Sequence, residues 1–432
     1  MCQPPRYPGP LEIGPGDRVP GLFVLVELTG VGMEGAGRTL RQTLRGVHAW
    51  LEGDEPPPED AGGAEGRIPE LGATLPPLWR ILREAPPGPE TLEAVGLACM
   101  HVALWAERAA VYRTAVAFFA AAEEADPDNP HYAYHVGRMA RKLARYDEAE
   151  AWLRWAHWVA RNRQAWEVAA LSTSGLGNLH RQRGNLPLAT RFHELTRRIA
   201  RRHNLRTLEG DALYDLVGLS FDFGRPTQGM EYARHALRAY GSGHSRIYRL
   251  AKDIAWLWMD HYAQFESAAH VFTALLEYIW EPEPRTVLLA SLARAAAGAG
   301  WNDVFENLWI ETWTVLRQQP VQTGHAGALI QLAYGAGNLG YWDRASLAAQ
   351  EAFSIARERK EGEMILLAES ILEAVRSGLV AEEGVRAAFR DRQRPAVDEE
   401  TAVFASELTN AMRVRQDDAP AGPAHTLNAS EL

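Results

Sequence analysis

HYAYHVGRMARKLARYDEAEAWLRWAHWVARNR, residues 131–163, is the stretch whose reading decides the fold. It holds two helical segments, with a small residue, Gly137, midway along the first. A turn follows at Arg145-Tyr146-Asp147-Glu148, Ala149 opens the second helix, and Ala156 lies one heptad later. Two helices that cross closely need small residues at the crossing, because a bulky Cβ would force them apart. A hairpin of this kind cannot bury its apolar face alone, so it implies neighbours built the same way.

Those neighbours are present. Positions equivalent to Ala149 are Ala115, Ala189, Gly229, Ala268, Val304 and Ala345, so successive units are separated by 34, 40, 40, 39, 36 and 41 residues. The small residue of the first helix recurs as Ala103, Gly177 and Ala333, while Val217, Trp256 and Leu292 take the same place elsewhere. A fixed period of small residues is the packing signature of a solenoid.

On these residues the chain resembles the tetratricopeptide repeat (TPR) family. YRTAVAFFAAAEEADPDNP (112–130) looks like the second helix and closing proline turn of that motif. GLGNLHRQRGNLPLA (175–189) resembles its first helix and turn, with Gly177, Gly184 and Ala189 in register, and NLGYWDRASLAAQEAF (338–353) matches again. The resemblance implies an all-α fold: a right-handed α-solenoid of about seven TPR-like helix pairs over residues 91–358. Most units run near 40 rather than the typical ~34 residues. That makes the array similar to the repeats of bacterial signalling receptors, such as the peptide-sensing regulators of Gram-positive bacteria and the sensor arrays of large ATP-dependent transcription activators. The nucleotide-binding loop of the second group is missing, and so is a helix-turn-helix.

Outside the array the composition changes. Fifteen of the 25 prolines and 15 of the 37 glycines fall within residues 1–90, which breaks that region into short pieces. The sequence there predicts an extended tail around Pro4 to Pro10, a strand at 22–28, a helix at 38–51, an acidic linker from Glu52 to Gly66, and a short helix at 78–82. Residues 359–413 read as a degenerate helix pair followed by a helix at 397–413, with Val397, Val403, Phe404, Leu408 and Met412 at helical spacing. A solenoid end needs cover, so that last helix is expected to cap it. Residues 414–432 are polar and expected to be disordered.

Composition excludes several classes of function. A net charge of −10 argues against a general nucleic-acid binder, so no nucleic acid is expected as a partner. Cys2 and Cys99 are too few for a disulfide framework, which favours a reducing cytoplasm. The apolar run 22–26 is too short for a signal peptide core or a membrane span, so no membrane is expected either. Gly30, Gly32, Gly35 and Gly37 follow an aliphatic run as in a dinucleotide fold, but no second strand follows to build the crevice. Their plainer role is a turn, and no cofactor is expected. His131 and His135 have the spacing of two metal ligands on one helix but lack a third, so no metal is expected. Cys99 lies among apolar residues, where a buried inert thiol is the default. Trp152, Trp155 and Trp158, and likewise Trp309 and Trp313, step along second helices as core residues would. The run Arg191, Arg197, Arg198, Arg201, Arg202 and Arg206 reads as a solvated outer face.

The constellation that points to function lies on the first helices, whose outward positions can be counted from each small residue. The second repeat offers His131, Tyr134, Arg138, Arg141 and Lys142, and the third Asn178, Arg181 and Gln182. The fourth offers Asp211, Tyr214, Phe221 and Asp222, and the fifth Asp253, Asp260 and His261. Arginines suit acidic groups, asparagine suits a peptide backbone, and aromatic rings suit side chains. A protein- or peptide-binding scaffold, non-enzymatic and cytoplasmic, is therefore the expected function, with a signalling or regulatory receptor that holds its partner in the concave groove as its specific form. The alternative is a regulatory subunit or enzyme whose N-terminal 90 residues carry the activity. The sequence leaves the oligomeric state open.

Overall fold

The computed structural model describes residues 77, 78, 81, 89–108, 112–318, 324–380 and 398–413. The expected N-terminal tail, strand, first helix and linker lie outside the described residues, as do 381–397 and 414–432. Among the described residues the chain is all-helical, with 16 α-helices packing in consecutive pairs. They are α1 (Pro89–Arg108), α2 (Tyr112–Ala125), α3 (Pro130–Lys142), α4 (Tyr146–Asn162), α5 (Trp166–Gln182), α6 (Leu186–Arg202), α7 (Arg206–Asp222) and α8 (Pro226–Tyr240). Then follow α9 (Arg246–Leu257), α10 (Phe265–Leu276), α11 (Pro282–Ala299), α12 (Asn302–Gln318), α13 (His325–Asn338), α14 (Trp342–Arg359), α15 (Gly362–Val380) and α16 (Glu399–Arg413). The chain divides into two compact units, Met1–Leu219 and Ser220–Leu432.

The starts and stops are written locally. Asn129 caps α3 by accepting a hydrogen bond from the His131 amide, and Pro130 occupies the first turn, where a missing N–H costs nothing. Asn185 caps α6 in the same way through the Leu188 amide. First helices end in a repeated turn. A left-handed residue, Ala144, Gly184, Gly224, Gly300 or Gly340, is followed by an amide bonded back to a carbonyl five residues earlier. Those bonds are Arg145 to Ala140, Asn185 to His180, Arg225 to Ser220, Trp301 to Ala296 and Tyr341 to Ala336.

This turn fixes the true register of each repeat. Counting from it, the small residue of α11 is Ala293, fully buried, rather than Leu292. Its partner on α12 is Phe305, whose amide bonds Trp301, rather than the exposed Val304. Directly after α9 a π-helical turn, Trp258–Tyr262, inserts one residue, closed by Ala263 in the left-handed region. Its closing bond runs from Gln264 back to Trp258, one residue further than in the other repeats. The small residue there is therefore Ala255, fully buried, rather than Trp256. Both apparent misfits at the crossing positions of α9 and α11 disappear.

Close approach is what these residues permit. Leu153 of α4 is fully buried between α3 and α5. A Cβ at Gly137 would meet its Cγ at 2.8 Å, and one at Gly175 its Cδ2 at 2.9 Å. Burying one such leucine is worth about 1.5–3 kcal/mol, and the glycines are what let it seat. The first core also reaches upstream: Leu78 is fully buried against α1 and α2 residues such as Val102, Trp105 and Phe119, with Ile81 packed beside it. Trp152 is core as expected, while Trp155 is half-buried and Trp158 is exposed.

The last helix is docked in the second unit against α9 and α10. Phe404 packs edge-on against Trp258, with ring centroids 5.9 Å apart, and Arg234 lies over its ring while pairing with Glu400. The Gly243 amide donates to the Ala411 carbonyl, and the Asp398 amide to Gln264 Oε1. The apolar spacing was read correctly as a helix. Its seat depends on contacts spanning more than a hundred residues, which no local pattern encodes.

Candidate functional site

None of the fifteen first-helix residues singled out from sequence is buried; His131, Lys142, Arg181, Gln182, Asp222 and His261 are exposed and the others half-buried. In the first unit, α3, α5 and α7 carry His131 through Tyr214; Phe221, Asp222, Asp253, Asp260 and His261 belong to the second unit.

The first unit brings several of these groups into one electrostatic environment. The Tyr134 hydroxyl is pushed up by burial first, against the pull of Arg138 and Arg141, and it also feels Glu107 and Asp211. The Arg141 guanidinium is drawn down by burial, with Tyr134 and then Asp215 among the groups opposing that shift. Tyr134 and Arg141 of α3 thus sense Asp211 and Asp215 of α7, two repeats away. The Arg141 Nε is buried and has no hydrogen-bond partner among the described residues. Arg181 lies against the bare backbone of Gly218, where a Cβ would come within 3.0 Å of its Nη2.

Arg138 and Lys142 are already engaged. Both pair with Glu107 of α1, Lys142 at 3.3 Å, and Arg138 also contacts His135 Nδ1 at 3.1 Å. Glu107 was missed from sequence although it follows Ala103 by four residues, the slot Arg141 holds after Gly137. The same contact recurs in the second unit. Arg294 follows Ala293 by one residue, as Arg138 follows Gly137, and donates to Asp260 at 2.6 Å. It also donates to Gln331 at 3.0 Å and lies 4.7 Å from the Tyr334 ring centroid. An arginine just after one crossing residue thus meets an acid from the preceding first helix.

Beneath the first-unit face sits a polar group that sequence reasoning also missed. His193 of α6 occupies the place Leu153 holds in α4, and Asp215 the place of Gly175. His193 is fully buried, its ring against Gly177, and its Nδ1 lies 3.3 Å from Asp215 Oδ2. Burial first, then Arg181, pushes its pKa down to about 4. Asp215 pulls the other way, but a ring with no exposed surface is held neutral. The signal was available: His193 falls four residues after Ala189, a core slot where a titratable side chain needs a reason.

In the second unit the corrected register moves the outward positions of α9. Lys252 and Trp256 take the places equivalent to Tyr134 and Arg138; Asp253, counted from Trp256, sits one residue off and lies 4.0 Å from Lys252. The Lys252 ammonium lies 5.2 Å from the Trp256 ring centroid, and the Trp256 indole donates to Ser291 at 2.9 Å. His261 and Tyr262 flank the Phe221 ring.

Other sequence candidates resolve into packing. His135 stacks on Phe119 at 4.6 Å between centroids, and burial first, then Arg138, pushes its pKa down to about 3. Cys99 is buried, which pushes its thiol up to about 12. Trp309 and Trp313 stack at 5.2 Å, with Arg344 over Trp309. Among the described residues no group of three or more His, Cys, Asp or Glu side chains could hold a metal, and no helix is long and apolar enough to cross a membrane. No known family model matches the chain, and no curated protein matches its sequence.

Proposed function

We propose that the protein is a non-enzymatic scaffold of the TPR type, a right-handed solenoid that holds a protein or peptide partner on its first-helix face in the cytoplasm. The observation that carries this reading is Arg141 with its surroundings. Its guanidinium is half-buried and its Nε lacks a partner, where a buried donor left unmade costs about 1–3 kcal/mol. Tyr134 shares its electrostatic environment, and the next first helix carries the half-buried Asn178, a ring and an amide suited to a side chain and a peptide backbone. The pairing of Arg138 with Glu107 and of Arg294 with Asp260 shows how such faces are closed internally. At the next step from Arg141 the matching slot holds Asn178 instead of an acid or a base. Phe221, Asp222, Asp260 and His261 extend the same polar chemistry on the second unit by itself.

The experiment is affinity capture from native cytosol with wild type, Asn178→Ala and Arg141→Gln. Partners of the proposed face are retained by the wild type and lost from both variants, with helical content unchanged. Identical capture by all three proteins would remove the reading.

A further inference from the structure

The second-helix face of α6 carries charge in a pattern that its own fold does not use. Residues 186–206 contain six arginines and one glutamate, in a chain whose net charge is −10. Arg191, Arg198, Arg201 and Arg202 are all exposed, as is Arg206, which opens α7 rather than lying on α6. Arg197 pairs with Glu194, and Arg198 touches only the Glu194 carbonyl, at 3.4 Å. No carboxylate among the described residues pairs with Arg191, Arg198, Arg201, Arg202 or Arg206. Some exposed arginines elsewhere do find acids, as Arg154 does at Glu150 and Arg183 at Glu150 and Asp147. Arg161, Arg225, Arg238 and Arg357 stand singly without one among the described residues; α6 differs in gathering several on one helix.

Like charges one helical turn apart, as in Arg197/Arg201 and Arg198/Arg202, oppose helix formation. The helix C-terminus compensates for Arg201 and Arg202, which lie in its last turn. It does nothing for Arg198, which lies before the last turn; Arg191 has no arginine within one turn of it. A local cost with no internal gain points to a gain outside the chain.

We infer that α6 is a docking ridge for an acidic helix of a partner protein. Arg191, Arg198 and Arg202 are separated by seven and four residues, which places them on one stripe about 40° wide. They rise along the axis by roughly 10 Å and then 6 Å. A second helix laid alongside has the same rise, so carboxylates at the same spacing of seven and four residues meet the guanidiniums in register. Nucleic acid fits less well. The one Phe, Tyr or Trp of α6 is Phe192, turned inward against His180 at 5.3 Å between centroids and covered by Arg154, so no ring is offered for base stacking. This ridge is separate from the first-helix face and does not depend on it.

The test uses a synthetic helical peptide with glutamates at the matching spacing, measured by fluorescence anisotropy at physiological ionic strength. A scrambled peptide of the same composition and a single-stranded RNA oligonucleotide are measured alongside. The expected result is binding of the patterned peptide, several-fold weaker binding of the other two, and loss of about tenfold or more in Arg191→Gln/Arg198→Gln/Arg202→Gln. That variant should unfold no earlier than wild type, because it relieves repulsion, and Arg141→Gln should bind the peptide normally. No binding of the patterned peptide, or equal binding of the scrambled peptide or the RNA, would overturn the inference.

Discussion

Gly177→Ala should destabilise the first unit even though alanine is the better helix former. An alanine Cβ would lie 2.5 Å from Nε2 and 2.7 Å from both Cδ2 and Cε1 of His193. The ring has no exposed surface into which it could swing, so the helices must part by about 1 Å to restore normal contact. Overpacking of this kind costs about 1–3 kcal/mol, and three close atoms on a rigid ring place it toward the upper end. Replacing a mid-helix glycine by alanine returns about 1 kcal/mol, so the net loss is about 1–2 kcal/mol. With an m-value of about 2 kcal/mol/M the urea midpoint of the first unit falls by roughly 0.5–1 M. Gly327→Ala is the control: the nearest atom to a Cβ there is Met364 Sδ at 3.9 Å, so alanine should raise stability slightly. Combining Gly177→Ala with His193→Ala should cost at least ~1 kcal/mol less than the sum of the two, because the clash is gone. Urea unfolding, with hydrogen exchange of α5 and α6 amides to assign the unit, measures all three. A midpoint that rises for Gly177→Ala as it does for Gly327→Ala would refute close crossing as the reason for the small residues.

Further outcomes follow from the same contacts. Leu78→Ala should cost about 2–4 kcal/mol by opening a cavity beneath α1 and α2, read as a lower urea midpoint; an unchanged midpoint would place Leu78 outside the core. His193 is accepted only as the neutral ring. Its folded pKa of about 4 lies below its ordinary 6.5, so the stability it contributes is present above pH 6.5 and lost as pH falls to 4. The loss is about 3 kcal/mol by linkage, and His193→Leu should flatten that part of the stability–pH curve; His135 acts in the same direction. Glu123 is shifted oppositely: burial raises its pKa despite the Trp155 indole bond. Its contribution is therefore full in acid and lost as pH rises through its folded value, so Glu123→Gln should gain more stability at pH 7 than at pH 4. Arg294→Ala should cost about 2–3 kcal/mol through lost bonds to Asp260 and Gln331, seen as earlier unfolding of the second unit.

The all-helical, paired architecture was legible because small residues at crossings are a local necessity repeated many times. Gly137, Gly177, Ala149 and Ala189 carry that signal without help from the rest of the chain. The register failed at two repeats for a physical reason. One π-turn residue between Trp258 and Tyr262 displaced the count by one, so Trp256 seemed to sit where Ala255 does. In α12 a phenylalanine fills the slot that alanine holds elsewhere, and Val304 was chosen in its place. None of the fifteen residues counted as outward is buried, although Asp253, counted from Trp256, lies one position off. Their pairing was not legible, because Glu107 meets Arg138, and Asp260 meets Arg294, across helices more than thirty residues apart. Charge reversal at Arg138 consequently tests stability as well as binding, since it would set a second carboxylate against Glu107, whose side chain is only 15% exposed. The seat of α16 was illegible for the same reason: helical spacing shows that a face is apolar, and nothing in it names the surface that covers it.

The central claim is that the first-helix face of the first unit holds a peptide, and Arg141 is where it is tested most directly. Peptides selected from a displayed random library on the Arg191→Gln/Arg198→Gln/Arg202→Gln variant, which lacks the α6 ridge, should be titrated by calorimetry into wild type, Arg141→Gln and Arg198→Gln. The expected result is a loss of about tenfold or more for Arg141→Gln, in line with ~1.5–3 kcal/mol for a charge-assisted contact. Arg198→Gln should bind as wild type does, and all three proteins should share one circular dichroism spectrum. Selected peptides that bind Arg141→Gln as tightly as wild type would contradict the claim.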